Sequence, residues 1–234
     1  MRKILVAFLL LLTIGQVSAQ TQKDTITIKH FGYTTLWSST LDYPLMVQWL
    51  DTKLRCDCDR IERKDDFSPD PSLVKQTDIQ NEYDAANQTE KAKGNKGFDR
   101  GHMSPASDNQ CPLMVKGKKV SAEKIQEECF YFTNMAPQYH SLNAGDWKKL
   151  EERTRELTTT YDSVYVWCGS VGTQMIIEGL HIPIKCWKVI YIKKKKIYEY
   201  YIFNNTPDKP VGLDKWKVKK EDVEKLTGFK FIYK

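Results

Sequence analysis

Apolar and polar positions along the chain follow two different rhythms. Short aromatic and β-branched runs, Phe130-Tyr131-Phe132 and Val164-Tyr165-Val166-Trp167-Cys168, predict strands. Val189-Ile190-Tyr191-Ile192 and Ile197-Tyr198-Glu199-Tyr200-Tyr201-Ile202-Phe203 flank Lys193 to Lys196, the pattern of a β-hairpin with lysines at its turn. The second rhythm follows Asn143. There Trp147, Leu150, Thr154 and Leu157 recur at i, i+3, i+7 and i+10 in a polar segment, which predicts an amphipathic helix. Ser141 or Asn143 is placed to cap it, since either side-chain oxygen can accept from the free N–H groups of a first turn. At about 100° per residue, Glu151 and Arg155 lie roughly 80° and roughly 120° around the helix from Asn143, so all three can address one side.

Asp65 to Lys96 is rich in Asp, Asn, Gln, Ser, Pro and Lys with little apolar periodicity, and reads as a long surface loop. No repeat and no linker-like break in composition divides the chain. Strands with isolated helices predict an α+β fold.

The first residues change the picture. Met1-Arg2-Lys3 is basic, Ile4 to Ile14 is apolar apart from Thr13, and Val17-Ser18-Ala19 is a small-residue cleavage signal. Residues 1–19 are therefore expected to be a signal peptide and 20–234 a single mature domain, secreted or periplasmic. A chain with 41% hydrophobic and 12% aromatic residues has enough apolar material for a core, which excludes a disordered protein. The 36 Lys and Arg against 30 Asp and Glu make an anionic partner plausible. The basic surplus is concentrated late: from Lys185 onward, 14 lysines face six acidic residues. The lysine-rich turn suits either a solvated hairpin tip or phosphate contact.

Six cysteines, Cys56, Cys58, Cys111, Cys129, Cys168 and Cys186, all follow the expected cleavage site, so disulfides are permitted in an oxidising compartment. Their pairing is open, although Cys56 and Cys58 are too close to bridge each other easily. Cys-x-Cys without a second Cys/His pair fits no common zinc framework.

The chemistry is densest in Phe98-Asp99-Arg100-Gly101-His102-Met103-Ser104-Pro105. A neutral imidazole can take a proton from water, Arg can pair with a phosphate, and Gly lets backbone approach closely. Downstream, Thr133-Asn134-Met135-Ala136-Pro137-Gln138 leads to the predicted helix with its second amide, Asn143. His30, His140 and His181 lack such surroundings and read as surface or packing residues. No Gly-x-Ser-x-Gly elbow is present, which argues against a Ser-His-acid hydrolase.

Together these strings resemble the DNA/RNA non-specific endonucleases, the sugar-non-specific nucleases of the ββα-metal or His-Me finger class. The likeness extends over roughly Asp65 to Asn205, through Gly169-Ser170-Val171, Ile182 to Val189 and Phe203-Asn204-Asn205. It implies a central antiparallel sheet flanked by helices, with a ββα-metal motif at the active site. It implies a general base at His102, within Asp99-Arg100-Gly101-His102, with its other ring nitrogen held by a backbone carbonyl. Asn143 is implied as the direct protein ligand of Mg2+, with Mn2+ also possible. Asn134, Glu151 and Arg155 match further catalytic positions, and Arg100 and Arg155 would balance charge at the phosphate. The upstream Arg on the scissile phosphate is placed at Arg63, with Arg60 behind it. The implied activity is metal-dependent cleavage of DNA and RNA to 5′-phosphate products. A DNA-only nuclease, a hydrolase of small phosphodiesters and an inactive nucleic-acid-binding module are the alternatives. Asn134 as a turn cap, Glu151–Arg155 as an ordinary helix ion pair and Asp99 as a loop holder are the structural alternatives for those residues.

Overall fold

A computed structural model describes residues 24–73 and 78–233, so the leader expected at 1–19 lies outside the described residues. In chain order the elements are β1 (Thr25–Lys29), β2 (Thr34–Ser38), β3 (Tyr43–Thr52), α1 (Lys53–Cys56), α2 (Ile79–Ala92), β4 (Phe98–His102), β5 (Leu113–Val115), β6 (Lys118–Val120), α3 (Ala122–Cys129), β7 (Met135–Tyr139), α4 (Lys148–Tyr161), β8 (Ser163–Ile177), β9 (Leu180–Ile192), β10 (Ile197–Asn204) and α5 (Lys220–Thr227). Six strands form one sheet in the order β1-β2-β3-β8-β9-β10, antiparallel at every junction. This is the expected α+β fold with a central antiparallel sheet.

The middle of that sheet is covered on both faces. Side chains alternate across a strand, yet every residue from Val166 to Ser170 and from Cys186 to Ile192 is buried. Trp147 and Leu150, at the start of α4, share a core with Val166, Cys168 and Val189, joined by Val223 of α5 and the C-terminal Phe229 and Phe231. Close packing inside the sheet leaves no room for a side chain at Gly169, whose Cβ would collide with the Leu45 carbonyl of β3. A second core lies under α2, where Ile79, Tyr83 and Ala86 meet Phe98, Phe132, Met135, Leu180 and Ile182.

The hairpin of β9 and β10 turns at Lys193 to Lys196 as expected, and all four lysines are exposed. Two local expectations fail. The polar stretch from Asp65 to Lys96 contains a 14-residue helix, α2, whose buried positions Ile79, Tyr83, Ala86 and Glu90 keep a helical spacing with only two large apolar residues. Phe130-Tyr131-Phe132 is a turn between α3 and a short 3₁₀ segment, Phe132–Asn134. Its rings fill the core, touching the sheet pattern only through a bridge from Tyr131 to Ser68. Cys58 and Cys111 form a disulfide, while Cys56, Cys129, Cys168 and Cys186 are buried free thiols.

Candidate active site

Strand β4 carries the His-bearing motif and pairs antiparallel with β7, with Asp99 opposite Gln138, Gly101 opposite Ala136 and His102 opposite Met135. The chain then bends at 142–147 and enters α4, which completes a β-β-α unit. Gly101 is required by this pairing: a Cβ there would overlap the carboxamide of Gln138, which donates to Cys186 Sγ at 3.3 Å.

His102 ends β4 with only 9% of its surface exposed. Its ring meets Phe130 edge-on at 4.8 Å and Phe67 at 5.7 Å. The expected carbonyl partner is missing: among the described residues nothing accepts from the ring, and Nε2 is buried without a hydrogen bond. Aromatic walls orient the imidazole instead. Burial, and then the charge of Arg63, push its pKa down to about 3, so the imidazole is neutral in the free site.

Arg63 and Arg100 flank the same aromatic pair. Arg63 lies over the Phe130 ring at 5.5 Å and pairs with Asp65 at 2.7 Å. Arg100 lies over Phe67 at 5.3 Å and pairs with Asp84 at 2.9 Å. Both carboxylates are more than half exposed, so these pairs are weak and can be exchanged for a stronger anion. Arg60 turns away, donating to the Cys56 carbonyl.

Asn143 is half-buried, and Asp99 Oδ2 accepts from its Nδ2 at 2.8 Å while also meeting His140 Nδ1 at 2.9 Å. An ionised carboxylate only accepts, so it must hold the amide through nitrogen, which leaves Oδ1 as a hard neutral oxygen donor. That donor suits a Mg2+ ion that keeps several waters. Asp99 is thus the clamp of Asn143, and His140 is part of it. Neither Ser141 nor Asn143 caps α4. Gly145 breaks the helical path (φ −101°, ψ −116°), Ser141 donates to the Thr206 carbonyl, and the amide of Asn143 is taken by Asp99.

Asn143 lies before this break, and Glu151 and Arg155 lie after it on α4. No described contact joins Asn143 to the other two. Arg155 donates to Ser107 Oγ at 2.7 Å and to the buried Asp108 at 3.1 Å. Glu151 lies 3.8 Å from Lys188 Nζ. Burial raises its pKa to about 7, Lys188 and Arg155 pulling down and Asp108 pushing up. Asn134 is wholly buried; it accepts from Ser104 N at 2.8 Å and donates to the carbonyls of Ser104 and Cys129 at 2.9 Å each. All its bonds go to backbone, so the structure gives it a positioning place beneath the loop.

The sequence reading missed Phe67, Phe130, Trp147, Asp108 and Lys188 as parts of this assembly. Trp147 donates its indole N–H to the His102 carbonyl at 3.2 Å. A usable signal existed for Lys188, the one charged residue in the apolar run Cys186 to Ile192.

Comparison with known proteins bears on what such a unit does. The family model described as DNA/RNA non-specific endonuclease matches residues 12–233. Nuclease EXOG, mitochondrial, of Xenopus laevis is 30% identical over 186 residues, 71% of this chain and 47% of that one. Nuclease C1 of Cunninghamella echinulata var. echinulata is 32% identical over 156 residues, 59% of this chain and 58% of that one. The chain therefore spans about half the length of the curated relatives it matches. A crystal structure of an EndoG/EndoGI complex superposes with a TM-score of 0.67 at 25% identity, covering 88% of this chain and 84% of that chain.

Proposed function

The chain belongs to the DNA/RNA non-specific endonuclease family, and from that premise we propose that it is a Mg2+-dependent endonuclease hydrolysing DNA and RNA to 5′-phosphate products. The observation that carries the reading is His102, a buried imidazole whose Nε2 has no hydrogen-bond partner among the described residues, beside two exchangeable guanidinium groups. In this reading His102 takes the proton of the attacking water, its ring aimed by Phe130 and Phe67. Arg63 and Arg100 leave their exposed carboxylates for the phosphate oxygens. Asn143, clamped by Asp99, offers Oδ1 to the metal. When bound there, Mg2+ or Mn2+ supplies Lewis-acid stabilisation of the phosphoryl group and the leaving 3′-oxygen. Arg155, committed to the buried Asp108, acts as a brace for the Ser107–Asp108 turn, and Glu151 contributes charge from α4. Since each of these groups addresses backbone phosphate, base preference is weak and binding weakens with salt.

The mature domain of this proposal starts at Gln20 and is secreted or periplasmic, a compartment inferred from the leader and compatible with the Cys58–Cys111 disulfide. Among the described residues no helix is long and apolar enough to cross a membrane. The test uses the purified mature chain and His102→Ala with plasmid DNA and structured RNA, each with Mg2+ and with excess chelator. Cleavage of both polymers only with metal, lost in the variant, supports the reading. Cleavage of DNA alone narrows it. Salt-dependent binding without cleavage under any metal replaces it with a binding module.

A further inference from the structure

Lys188 is the anomaly of the sheet. It sits in β9 between Trp187 and Val189, and only 1% of it is exposed. A buried ammonium is costly unless it is paired, and Met or Leu would fill the same space without that cost. Its surroundings are specific. The ammonium lies over the Trp147 indole at 4.1 Å from the ring centre, with Trp49 at 6.0 Å, and 3.8 Å from Glu151 Oε1. Trp147 and Glu151 are four residues apart, where the kinked segment becomes α4. The same indole donates to the His102 carbonyl.

We propose that Lys188 is a positioning residue for the reaction: from beneath α4 its ammonium favours and anchors the Glu151 carboxylate and fixes the indole that supports His102. The proposal rests on the functional reading above, because it takes Glu151 to act as a carboxylate.

The charges around Glu151 give Lys188 the deciding place. Burial and Asp108, from the turn after β4, favour the neutral acid; Lys188, from β9, and Arg155, one turn along α4, favour the carboxylate. Arg155 is engaged by Asp108. Cys168 and Cys186 on the sheet add no charge, since burial raises both thiols. Removing Lys188 shifts this balance toward the neutral acid.

The test compares wild type, Lys188→Met, Lys188→Arg, Glu151→Gln and the Met/Gln double variant in two ways: cleavage rate between about pH 5 and 9, and melting temperature. Lys188→Met is expected to move the acid limb upward by about one pH unit or more, giving about a tenfold loss at pH 7 that recovers at alkaline pH. Glu151→Gln should abolish that limb, and Lys188→Arg should restore most of it. Measured at about pH 9, where Glu151 would be forced to ionise without a partner, the double variant should melt above Lys188→Met, because it leaves no unpaired buried charge. An equal loss at every pH, or a double variant no more stable than Lys188→Met, overturns the proposal. If Lys188→Met does not fold, Lys188→Gln takes its place in both comparisons. A wild-type chain that cuts neither polymer sinks the nuclease reading, and the melting cycle then decides the Lys188–Glu151 coupling alone. A fully active Glu151→Gln leaves the nuclease reading standing and removes Lys188 from the reaction.

Discussion

Asn134→Ala distinguishes a residue that holds the site from one that touches substrate. The side chain is fully buried, and its bonds tie Ser104, two residues after the proposed base, to Cys129, which immediately precedes the Phe130 ring packed on that base. Alanine would leave the Ser104 N–H without its acceptor and deprive two buried carbonyls of a donor. One orphaned buried group costs about 1–3 kcal/mol, with carbonyls at the low end because their second lone pair can still find a partner. The sum is about 3–5 kcal/mol, a large part of the 5–15 kcal/mol typical of a folded protein. Urea unfolding followed by tryptophan fluorescence should show the midpoint falling with an unchanged slope. Cleavage by the folded fraction should fall through kcat, as His102 loses its fixed place. Asn134→Asp should rescue little, because a carboxylate can accept from Ser104 N–H but cannot donate to either carbonyl. If Asn134→Ala stays within about 0.5 kcal/mol of wild type and loses more than a hundredfold in cleavage, the side chain acts on substrate or metal and this reasoning is refuted.

Two further predictions concern the framework. The Cys58–Cys111 bridge spans 53 positions, which in the chain-entropy picture is worth about 4 kcal/mol. Cys58→Ser/Cys111→Ser should therefore melt roughly 8–16 °C lower, and a drop under about 2 °C would show that the loop is held by its hydrogen bonds alone. The second concerns Asp70. Burial raises its carboxyl, but hydrogen bonds from His30 and Thr133 outweigh burial and hold the pKa at about 2, below the ordinary 3.8. Because the folded value is the lower one, its stabilisation is present above about pH 4 and fades as the pH falls toward 2. Asp70→Asn should lower unfolding free energy by about 1–2 kcal/mol above pH 4, and the two stability curves should converge near pH 2. A gap of constant size across that range would assign the effect to packing.

What the sequence shows and what it hides follow from how local each feature is. The hairpin of β9 and β10 was legible because its runs are long, aromatic and β-branched, and its lysines can only be solvated. The body of α4 was legible because Leu150 and Thr154 keep one buried stripe. Its cap was not, because the non-helical Gly145 and the distant partners Asp99 and Thr206 decide what Ser141 and Asn143 do. Helix α2 escaped because two large apolar residues in 14 positions make a faint stripe, and its stability comes from burying Tyr83 against Phe132, far along the chain. The groups proposed to react, His102, Arg100 and Asn143, stand in contiguous strings whose chemistry shows without a fold. Their supports do not. Asp99 reaches Asn143 across 44 positions, Trp147 reaches the His102 carbonyl across 45, and Lys188 of β9 meets Glu151 of α4. Such pairings become readable only once burial is known. In a strand whose neighbours are buried on both faces, a lysine cannot reach water, so it must be answering a charge, and the nearest helix facing that strand is where the charge should be sought.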